Sequence, residues 1–479
     1  MKHLYAPLFA LCIVGLLLTQ GCSDSEPVIV PEAITAHNDD NSVFLSWNKL
    51  MLELDRYAPG YRPSPAPRAS AYLGIAAYEA VVMAIPENKS IQPFLPGLQV
   101  PRPDLQLEYH WPTVVNEVYA YLMTRFYFHM ENSHPDLYQK IEETRVQNNG
   151  LYQGDISPET FNRSVDYAQR VGLAVYEWSA TDLIAHNAFL NPQPTDYTPP
   201  QGPGLWKPTP PDFGRALFPY WGEARTFALR DEEKLGRPPL PYSQLPNSLY
   251  YTQNLEVYNT VNHMKNSDDA TARENEWMAI FWSDDIRGLT FSPAIRYISI
   301  LNQLVEKEDL DLAECAEVYA KMGMSLNDAC VSVWFTKYYY NTERPIDYIR
   351  SVISQQDPEA AGWTTFLDNP ITGAKGINPS FPGYPSGHSG FAGAGSRILS
   401  SFFEFNAKHP GTYTFTDYSH FGRVEFNGSP RTFFSFKELG DEKAFARVPL
   451  GVHLRMDCVE GIRIGEKAAQ RVLELPWKK

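Results

Sequence analysis

Apolar residues recur at helical spacing through most of this chain of 479 residues. Their i, i+3, i+4 pattern predicts four helices in the first half, over 69–84, 114–128, 137–146 and 161–178. It predicts six more in the second half, over 254–264, 274–284, 294–305, 312–342, 389–403 and 449–473. The alternation typical of strands is confined to two short stretches, 413–415 and 431–436. The pattern therefore predicts an all-α fold.

Residues 191–250 break the helical pattern. They hold 13 of the 39 prolines, which exclude regular helix, and large aromatic residues lie between them: Trp206, Phe213, Phe218, Tyr220 and Trp221. A solvated linker would not carry so many aromatic side chains, so we predict an ordered loop laid across the helices, with a flexible linker as the alternative. The chain is accordingly predicted to form an N-terminal helical bundle over 46–190 and a C-terminal one over 251–479.

The N-terminus has the features of a bacterial export signal. Basic residues precede an apolar run over 4–18, which is followed by Thr19-Gln20-Gly21-Cys22. A small residue directly before a cysteine resembles a lipoprotein cleavage site. We therefore predict a signal peptide over 1–21, a lipid anchor at Cys22 and a tether over 22–45, which would place the protein at the bacterial outer membrane, in the periplasm or at the cell surface. The alternative is ordinary signal cleavage nearby.

Composition limits the partners. The formal net charge is −15, so no global basic surface attracts nucleic acid or anionic membrane, and an anion site must be a local cluster of basic residues. Beyond the N-terminal region, no run of eighteen apolar residues occurs, which predicts a soluble body. Cys315, Cys330 and Cys458 match no zinc pattern; a disulfide between the first two, or three small buried apolar residues, both remain open.

A first group of basic residues stands near the end of the predicted helix 312–342. Lys337 and Arg344 are seven residues apart, so both would project from one face, about 10 Å apart along the axis, if the helix persists. Pro345 would end the helix just past the arginine. Two cations can then converge on one anion. Taken alone, the group is more simply explained by basic residues that complement a helix C-terminus.

A second group, Pro385-Ser386-Gly387-His388, opens the predicted helix 389–403. A glycine beside a hydroxyl at a helix N-terminus leaves backbone N–H groups free to point at an anion, and the helix dipole favours negative charge there. His388 would stand at the rim of that site. The alternative is a capped turn with a satisfied histidine.

A third group surrounds the start of the predicted helix 449–473. Pro449 suits its first turn, which places Arg447 just before the helix and His453 on it, with Asp457 four residues further along the same face. A carboxylate one turn away orients a histidine and makes it more basic. Taken alone, this histidine would more often be a packed residue than a ligand.

Together the three groups predict a binding site for a tetrahedral oxyanion, phosphate or vanadate, formed by Lys337, Arg344, Ser386, Gly387, His388, Arg447 and His453. In this order they resemble the signature shared by type 2 phosphatidic acid phosphatases and vanadium-dependent haloperoxidases: Lys-x6-Arg-Pro, Pro-Ser-Gly-His and Arg-x5-His-x3-Asp. Further segments, including 71–82 and 281–285, resemble soluble bacterial haloperoxidases. The resemblance implies two helical bundles with the anion at one end of the second.

The resemblance also implies vanadate as the cofactor and a role for each residue. Five residues would hold the oxyanion oxygens: Lys337, Arg344, Ser386, Gly387 and Arg447. His453, with Asp457 behind it, would bond the vanadium, and His388 would act as acid and base. Lys337 would polarise bound peroxide. In phosphate chemistry, His453 would instead be the nucleophile and His388 the acid that protonates the leaving group.

Two aromatic residues bear on which chemistry occurs. Trp334 and Phe381 stand where haloperoxidases that oxidise chloride or iodide carry aromatic residues, which implies a halide pocket, whereas core packing is the alternative. One of Asp284 and Asp285 is expected behind an anion-binding arginine, with the choice between them left open.

The leading hypothesis is an enzyme, a vanadate-dependent haloperoxidase that oxidises halide, iodide first, with hydrogen peroxide to a hypohalous acid equivalent. The runner-up is a soluble acid phosphatase that hydrolyses phosphate monoesters through a phosphohistidine intermediate. A third hypothesis is a surface lipoprotein that keeps the helical scaffold for binding alone. The organic acceptor and the oligomeric state are left open by the sequence.

Overall fold

The computed structural model describes residues 35–154, 156–423, 425 and 427–479. The predicted signal peptide, the lipid site at Cys22 and most of the tether lie outside these residues. The described chain forms fourteen α-helices and a two-stranded antiparallel sheet. The helices are α1 (Ser42–Tyr57), α2 (Pro65–Val81), α3 (Trp111–Phe126), α4 (Met130–Ser133), α5 (Pro135–Tyr152), α6 (Pro158–Ala180), α7 (Leu249–Asn266), α8 (Ala270–Phe281), α9 (Arg296–Glu308), α10 (Leu312–Tyr340), α11 (Pro345–Ser351), α12 (Gly387–Phe403), α13 (Phe436–Phe445) and α14 (Arg455–Leu473), and the strands are β1 (Phe415–Asp417) and β2 (Arg431–Phe433).

The all-α prediction is confirmed, and every predicted helix overlaps an observed one. The two short strands pair with Phe415 opposite Phe433. The pattern missed α1, α4, α11 and α13. Of these, α1 buries residues at helical spacing, among them Val43, Trp47 and Leu54, so its signal is present in the sequence. Across the described residues, no helix combines the length and the apolar character needed to cross a membrane.

Helix α10 lies at the centre of the fold. It packs against α2 from the first half of the chain and against α12 and α14 from the second. A Cβ on Gly74 of α2 would lie 2.8 Å from the Cα of Ala320 on α10, so glycine is what lets these backbones approach. Buried residues of both halves belong to one hydrophobic cluster. The division into bundles at 190 and 250 stays a prediction.

The proline-rich connection is ordered and packs on α10. The carboxylate of Asp328 on α10 accepts three backbone N–H bonds at 2.8 Å, from residues 227–229. The backbone N–H of Trp206 donates to the carbonyl of Asn341 at 2.7 Å. The indole rings of Trp206 and Trp221 are buried. The connection therefore holds the C-terminal end of α10, where Lys337 lies.

The contact between α12 and α14 depends on glycine. A Cβ on Gly393 of α12 would overlap the carbonyl oxygen of Ile462 on α14. We expect Gly393→Ala to lower the free energy of unfolding by about 2 kcal/mol or more, because overpacking forces backbones apart. Chemical denaturation measures the loss. Gly411→Ala is the control, since a Cβ there meets no described atom within 4 Å, and an equal effect of both changes would contradict the account.

Candidate oxyanion site

The predicted site residues come together at one cavity of about 250 Å³. Its lining includes six of them: Trp334, Phe381, Gly387, His388, Arg447 and His453. Lys337, Arg344 and Ser386 are buried behind this lining: Arg344 contacts His453, Lys337 lies over the ring of Phe381, and Ser386 directly precedes Gly387. Three chain segments far apart in sequence thus converge as predicted.

The backbone between Lys337 and Arg344 differs from the predicted continuous helix. Helix α10 ends before Asn341, which adopts a left-handed φ of 48°, and Pro345 begins α11 rather than ending α10. Arg344 is therefore the extended residue before α11. The two cations converge all the same, because Lys337 Nζ lies 5.0 Å and Arg344 Cζ 4.9 Å from the ring centre of Phe381.

Backbone carbonyls hold both cations in place. Lys337 Nζ donates to the carbonyls of residues 382–383, at 2.8 and 2.9 Å. Arg344 donates through Nε to the carbonyl of Phe381 at 2.9 Å and through Nη1 to that of Val452 at 2.8 Å. An ammonium has a third N–H, and Arg344 Nη2 is buried with no hydrogen-bond partner among the described residues. Each cation therefore keeps a donor for an anion.

His453 lies just before α14 and not on it. The predicted helix start at Pro449 is wrong, because α14 begins at Arg455. Gly451 takes a left-handed φ of 88°, which turns the chain between the proline and the histidine. Pro449 suits a first helical turn, but the left-handed turn at Gly451 interrupts the backbone, and the helix begins only at Arg455.

Asp457 nevertheless orients His453. The Nδ1–H of the imidazole donates to Asp457 Oδ2 at 3.0 Å, and the Leu454 N–H donates to the same oxygen at 3.0 Å. Nε2 lies 3.2 Å from Arg344 Nη1, and a guanidinium only donates, so Nε2 accepts. Burial, then the charge of Arg344, lowers the pKa of His453. The neutral imidazole therefore presents a lone pair on Nε2, suited to bond a metal centre or to attack phosphorus.

Ser386 joins the second segment to the third. As the residue before α12 it accepts the Ser389 N–H through Oγ at 3.3 Å, and its own N–H donates to the carbonyl of Asp457 at 2.9 Å. The helix begins at Gly387, so the Pro-Ser-Gly-His segment opens α12 as predicted. The first N–H groups of a helix have no partner within it and favour an anion.

His388 stands in the first turn of α12 with its tautomer set by the backbone. Its Nε2–H donates to the carbonyl of Ser283 at 3.0 Å, so the lone pair of the neutral ring is on Nδ1. Burial, then the charge of Arg447, lowers the pKa of His388. The ring is thus neutral at neutral pH and can accept a proton at Nδ1.

The structure distinguishes the two candidate aspartates. Arg447 Nη1 donates to Asp285 Oδ2 at 2.8 Å and to the carbonyl of Ser283 at 3.4 Å, while its buried Nε finds no partner within the described chain. Asp284 also lines the cavity, but its carboxylate pairs with Arg296 Nη1 at 3.3 Å. Asp285 is therefore the carboxylate behind Arg447, the arginine predicted to bind the anion.

We expect Asp285→Asn to weaken orthovanadate binding about tenfold, because the amide keeps an acceptor for Arg447 but loses the charge that orients the guanidinium. Equilibrium dialysis of the protein against orthovanadate measures the change. Asp441→Asn is the matched control, since that exposed aspartate pairs with Lys437 on the surface of α13. Equal affinity in the Asp285 variant and the parent protein would contradict the orienting role.

Trp334 and Phe381 flank the basic cluster as predicted. Their ring centres are 5.1 Å apart, and both rings line the cavity. The Trp334 ring also lies against the start of α12, where a Cβ on Gly387 would be 3.3 Å from it. The lining therefore combines aromatic rings with two arginines, Arg62 and Arg447, and three aspartates, Asp212, Asp284 and Asp285.

Electrostatics favour an anion in this cavity. Burial, then the charge of Arg344, lowers the pKa of Lys337 well below its usual range, and burial lowers the pKa of Arg344 to about 9. Burial also raises the pKa of Asp457 to about 6. An oxyanion relieves the repulsion between these cations and accepts their unused donors. The unpaired donors of Arg344 and Arg447 among the described residues fit an oxyanion such as vanadate.

Ser283 has a role in the site that the sequence did not predict. Its carbonyl accepts from both His388 and Arg447, and so links the second group to the third. A backbone acceptor has no side-chain signature. The only sequence signal was the resemblance of segment 281–285.

None of the three cysteines in the described part of the chain lines the cavity. Cys315, Cys330 and Cys458 are buried free thiols, so the disulfide alternative is wrong. Burial raises the pKa of Cys330 to about 12, which makes it an inert packed residue.

Comparisons with known proteins point to one group. A family model of the VCPO second helical-bundle domain matches residues 317–476. Vanadium chloroperoxidase of Curvularia inaequalis is 26% identical over 228 residues, which cover 44% of this chain and 35% of that protein. The chain thus spans about a third of the length of this curated relative.

Solved structures extend the likeness over nearly the whole chain. A bacterial vanadium-dependent iodoperoxidase superposes with a TM-score of 0.75 at 26% identity, over 92% of this chain and 97% of that one. A holo-type bacterial vanadium-dependent chloroperoxidase superposes with a TM-score of 0.62 at 14% identity, over 91% and 97%. The second likeness establishes the fold alone.

Proposed function

We propose that this chain is a vanadium-dependent haloperoxidase, which binds vanadate and oxidises halide with hydrogen peroxide to a hypohalous acid equivalent. The observation that carries the proposal is the neutral His453, whose Nε2 lone pair lies beside Arg344 at 3.2 Å. Buried donors of Arg344 and Arg447 that are unpaired in the described chain supply the charge an oxyanion needs.

Each residue of the site has a physical task. Bound vanadate supplies a Lewis-acidic centre that activates hydrogen peroxide toward a halide ion. Lys337, Arg344 and Arg447 would hold its oxygens through their spare N–H groups, and His453 would bond it through Nε2. His388 takes a proton at Nδ1 and returns it, while Ser283 holds the ring. The overall reaction is halide plus hydrogen peroxide plus one proton, giving hypohalous acid and water.

Iodide is the halide we propose. The aromatic wall of Trp334 and Phe381 suits a large, weakly hydrated anion better than a small, strongly hydrated one. The solved iodoperoxidase, at 26% identity, supports the same choice. Bromide is expected to be oxidised more slowly.

One assay separates this function from acid phosphatase activity. Purified protein, treated with chelator and then assayed with and without orthovanadate, is expected to form triiodide from iodide and hydrogen peroxide only when vanadate is present. Hydrolysis of a phosphate monoester is expected to be negligible. Brisk hydrolysis that vanadate inhibits, with no halide oxidation, would establish the phosphatase instead. Neither activity in folded protein would favour a binding role.

We also propose that the protein is exported and anchored by lipid at Cys22, on the strength of the apolar run and the Gly21-Cys22 junction. Mass spectrometry of the membrane fraction is expected to find a lipidated Cys22 as the first residue. Cys22→Ser is expected to release the protein from the membrane. An N-terminus beyond Cys22 without lipid would reject the anchor.

A further inference from the structure

A second cavity, of about 300 Å³, adjoins the oxyanion cavity. Ile286 and Leu367 line both cavities, so a wall only one side chain thick separates them. Ser283, whose carbonyl holds His388 and Arg447, lines the second cavity as well. Hypohalous acid formed beside His388 would therefore arise next to the second cavity.

The chemical character of the second cavity is mainly apolar. Ile286, Leu289, Leu367 and Leu450 belong to one buried hydrophobic cluster, and Phe366 packs against it. Such a surface favours a flat organic molecule over an ion.

A polar group is set into this apolar lining. The Oγ1 of Thr290 is buried, although the side chain lines the cavity, and it has no hydrogen-bond partner in the part of the chain that the structure describes. An unpaired buried hydroxyl costs free energy, which a ligand hydroxyl or amine would recover when the Thr290 side chain rotates its Oγ1 toward the cavity.

The charges around the cavity are of one sign. The charged residues of its described lining are Glu276, Asp368 and Glu425, all acidic. Asp368 and Glu425 pair with Lys375 and Arg423, which reduces the field without reversing it. Acidic groups at an apolar cavity disfavour an anionic ligand and favour a neutral or cationic one.

We infer that the second cavity binds the organic acceptor of the oxidised halogen, a phenol that carries no negative charge. This inference rests on the proposed function and names the substrate class that would meet its product. The acceptor's aromatic C–H is replaced by C–I as hypoiodous acid delivers formal I⁺. The displaced proton joins the hydroxide portion as water, so ArH plus HOI gives ArI plus H2O.

Binding tests the inference without vanadate or peroxide. Isothermal titration calorimetry is carried out with tyramine, 4-methylphenol and 4-hydroxyphenylacetate as probes. Tyramine is expected to bind most tightly and the anionic probe about tenfold or more weakly than tyramine. Thr290→Val, which keeps the shape and removes the hydroxyl, is expected to weaken tyramine and 4-methylphenol binding about fivefold. Equal binding of all three probes would overturn the inference.

A space-filling change locates the binding. Ile280→Trp, on the half-buried part of α8 that lines the cavity, is expected to weaken tyramine binding about tenfold or more. Val459→Trp is the matched control, because Val459 is exposed on α14 and lines neither cavity. Tyramine binding unaffected by Ile280→Trp, or no binding in the parent protein, would overturn the inference.

Activity then distinguishes failure of the inference from failure of the proposed function. In vanadate-loaded protein, Ile280→Trp is expected to leave triiodide formation unchanged while iodination of tyramine falls to the rate with free hypoiodous acid. Triiodide formation with no effect on tyramine iodination would reject the acceptor site alone. Tyramine binding without any triiodide formation would reject the proposed function, and the acceptor role with it.

Discussion

Replacing His453 with alanine is expected to lower vanadate-dependent iodide oxidation on the order of 10³-fold. The imidazole is the ligand we propose for vanadium, because His453 lines the cavity and its Nε2 carries the lone pair, 3.2 Å from Arg344 Nη1. Its loss also leaves Asp457 Oδ2 with only the Leu454 N–H. Steady-state triiodide formation at several orthovanadate concentrations measures the effect.

Controls separate this loss from unfolding. His263→Ala removes an exposed histidine that pairs with Asp269, and it is expected to retain full activity. Thermal unfolding of vanadate-free His453→Ala is expected to show a folded protein, and orthovanadate is expected to stabilise the parent protein but not the variant. Activity retained by His453→Ala would show that the vanadium ligand lies elsewhere.

The second large effect is expected for Arg344→Lys, which should weaken orthovanadate binding about 100-fold. A lysine keeps the charge and has three N–H groups, but they share one nitrogen, whereas the guanidinium donates from separate nitrogens, Nε to the carbonyl of Phe381 and Nη1 to that of Val452. The spare Nη2 is lost as well. Orthovanadate dependence of triiodide formation yields the affinity, and the rate at saturating vanadate is expected to change less.

Arg397→Lys is the matched control for charge-preserving substitution. Arg397 lies on the exposed side of α12 and donates to Gln470 Oε1 at 3.0 Å, so its replacement is expected to leave vanadate affinity unchanged. An Arg344→Lys protein that binds vanadate as tightly as the parent would show that the guanidinium fork does not hold the oxyanion.

Helical periodicity predicted much of the fold because most helices bury one face. The errors arose where contacts distant in sequence set the backbone. Asn341 ends α10 in a left-handed conformation, and its carbonyl accepts the N–H of Trp206, more than a hundred residues earlier. The apolar periodicity within 312–342 gives no information about the contact with Trp206. The same limit left the packing of α2 on α10 unpredicted.

The site was more predictable than the helix ends because oxyanion binding requires specific side chains. The basic residues and histidines identified in the sequence meet at one cavity, although Arg344 and His453 stand on loops and not on the predicted helices. What the sequence left open was geometry, namely which aspartate supports Arg447. The carbonyl of Ser283, shared by Arg447 and His388, was equally unpredictable, since any residue type supplies it.

Vanadate binding at His453 is tested most directly by an anomalous difference map from crystals grown with orthovanadate, recorded at the vanadium absorption edge. We expect a single strong peak in the first cavity, bonded to His453 Nε2 and within hydrogen-bond reach of Arg344 and Arg447. No peak at saturating orthovanadate, or a peak away from His453, would contradict it.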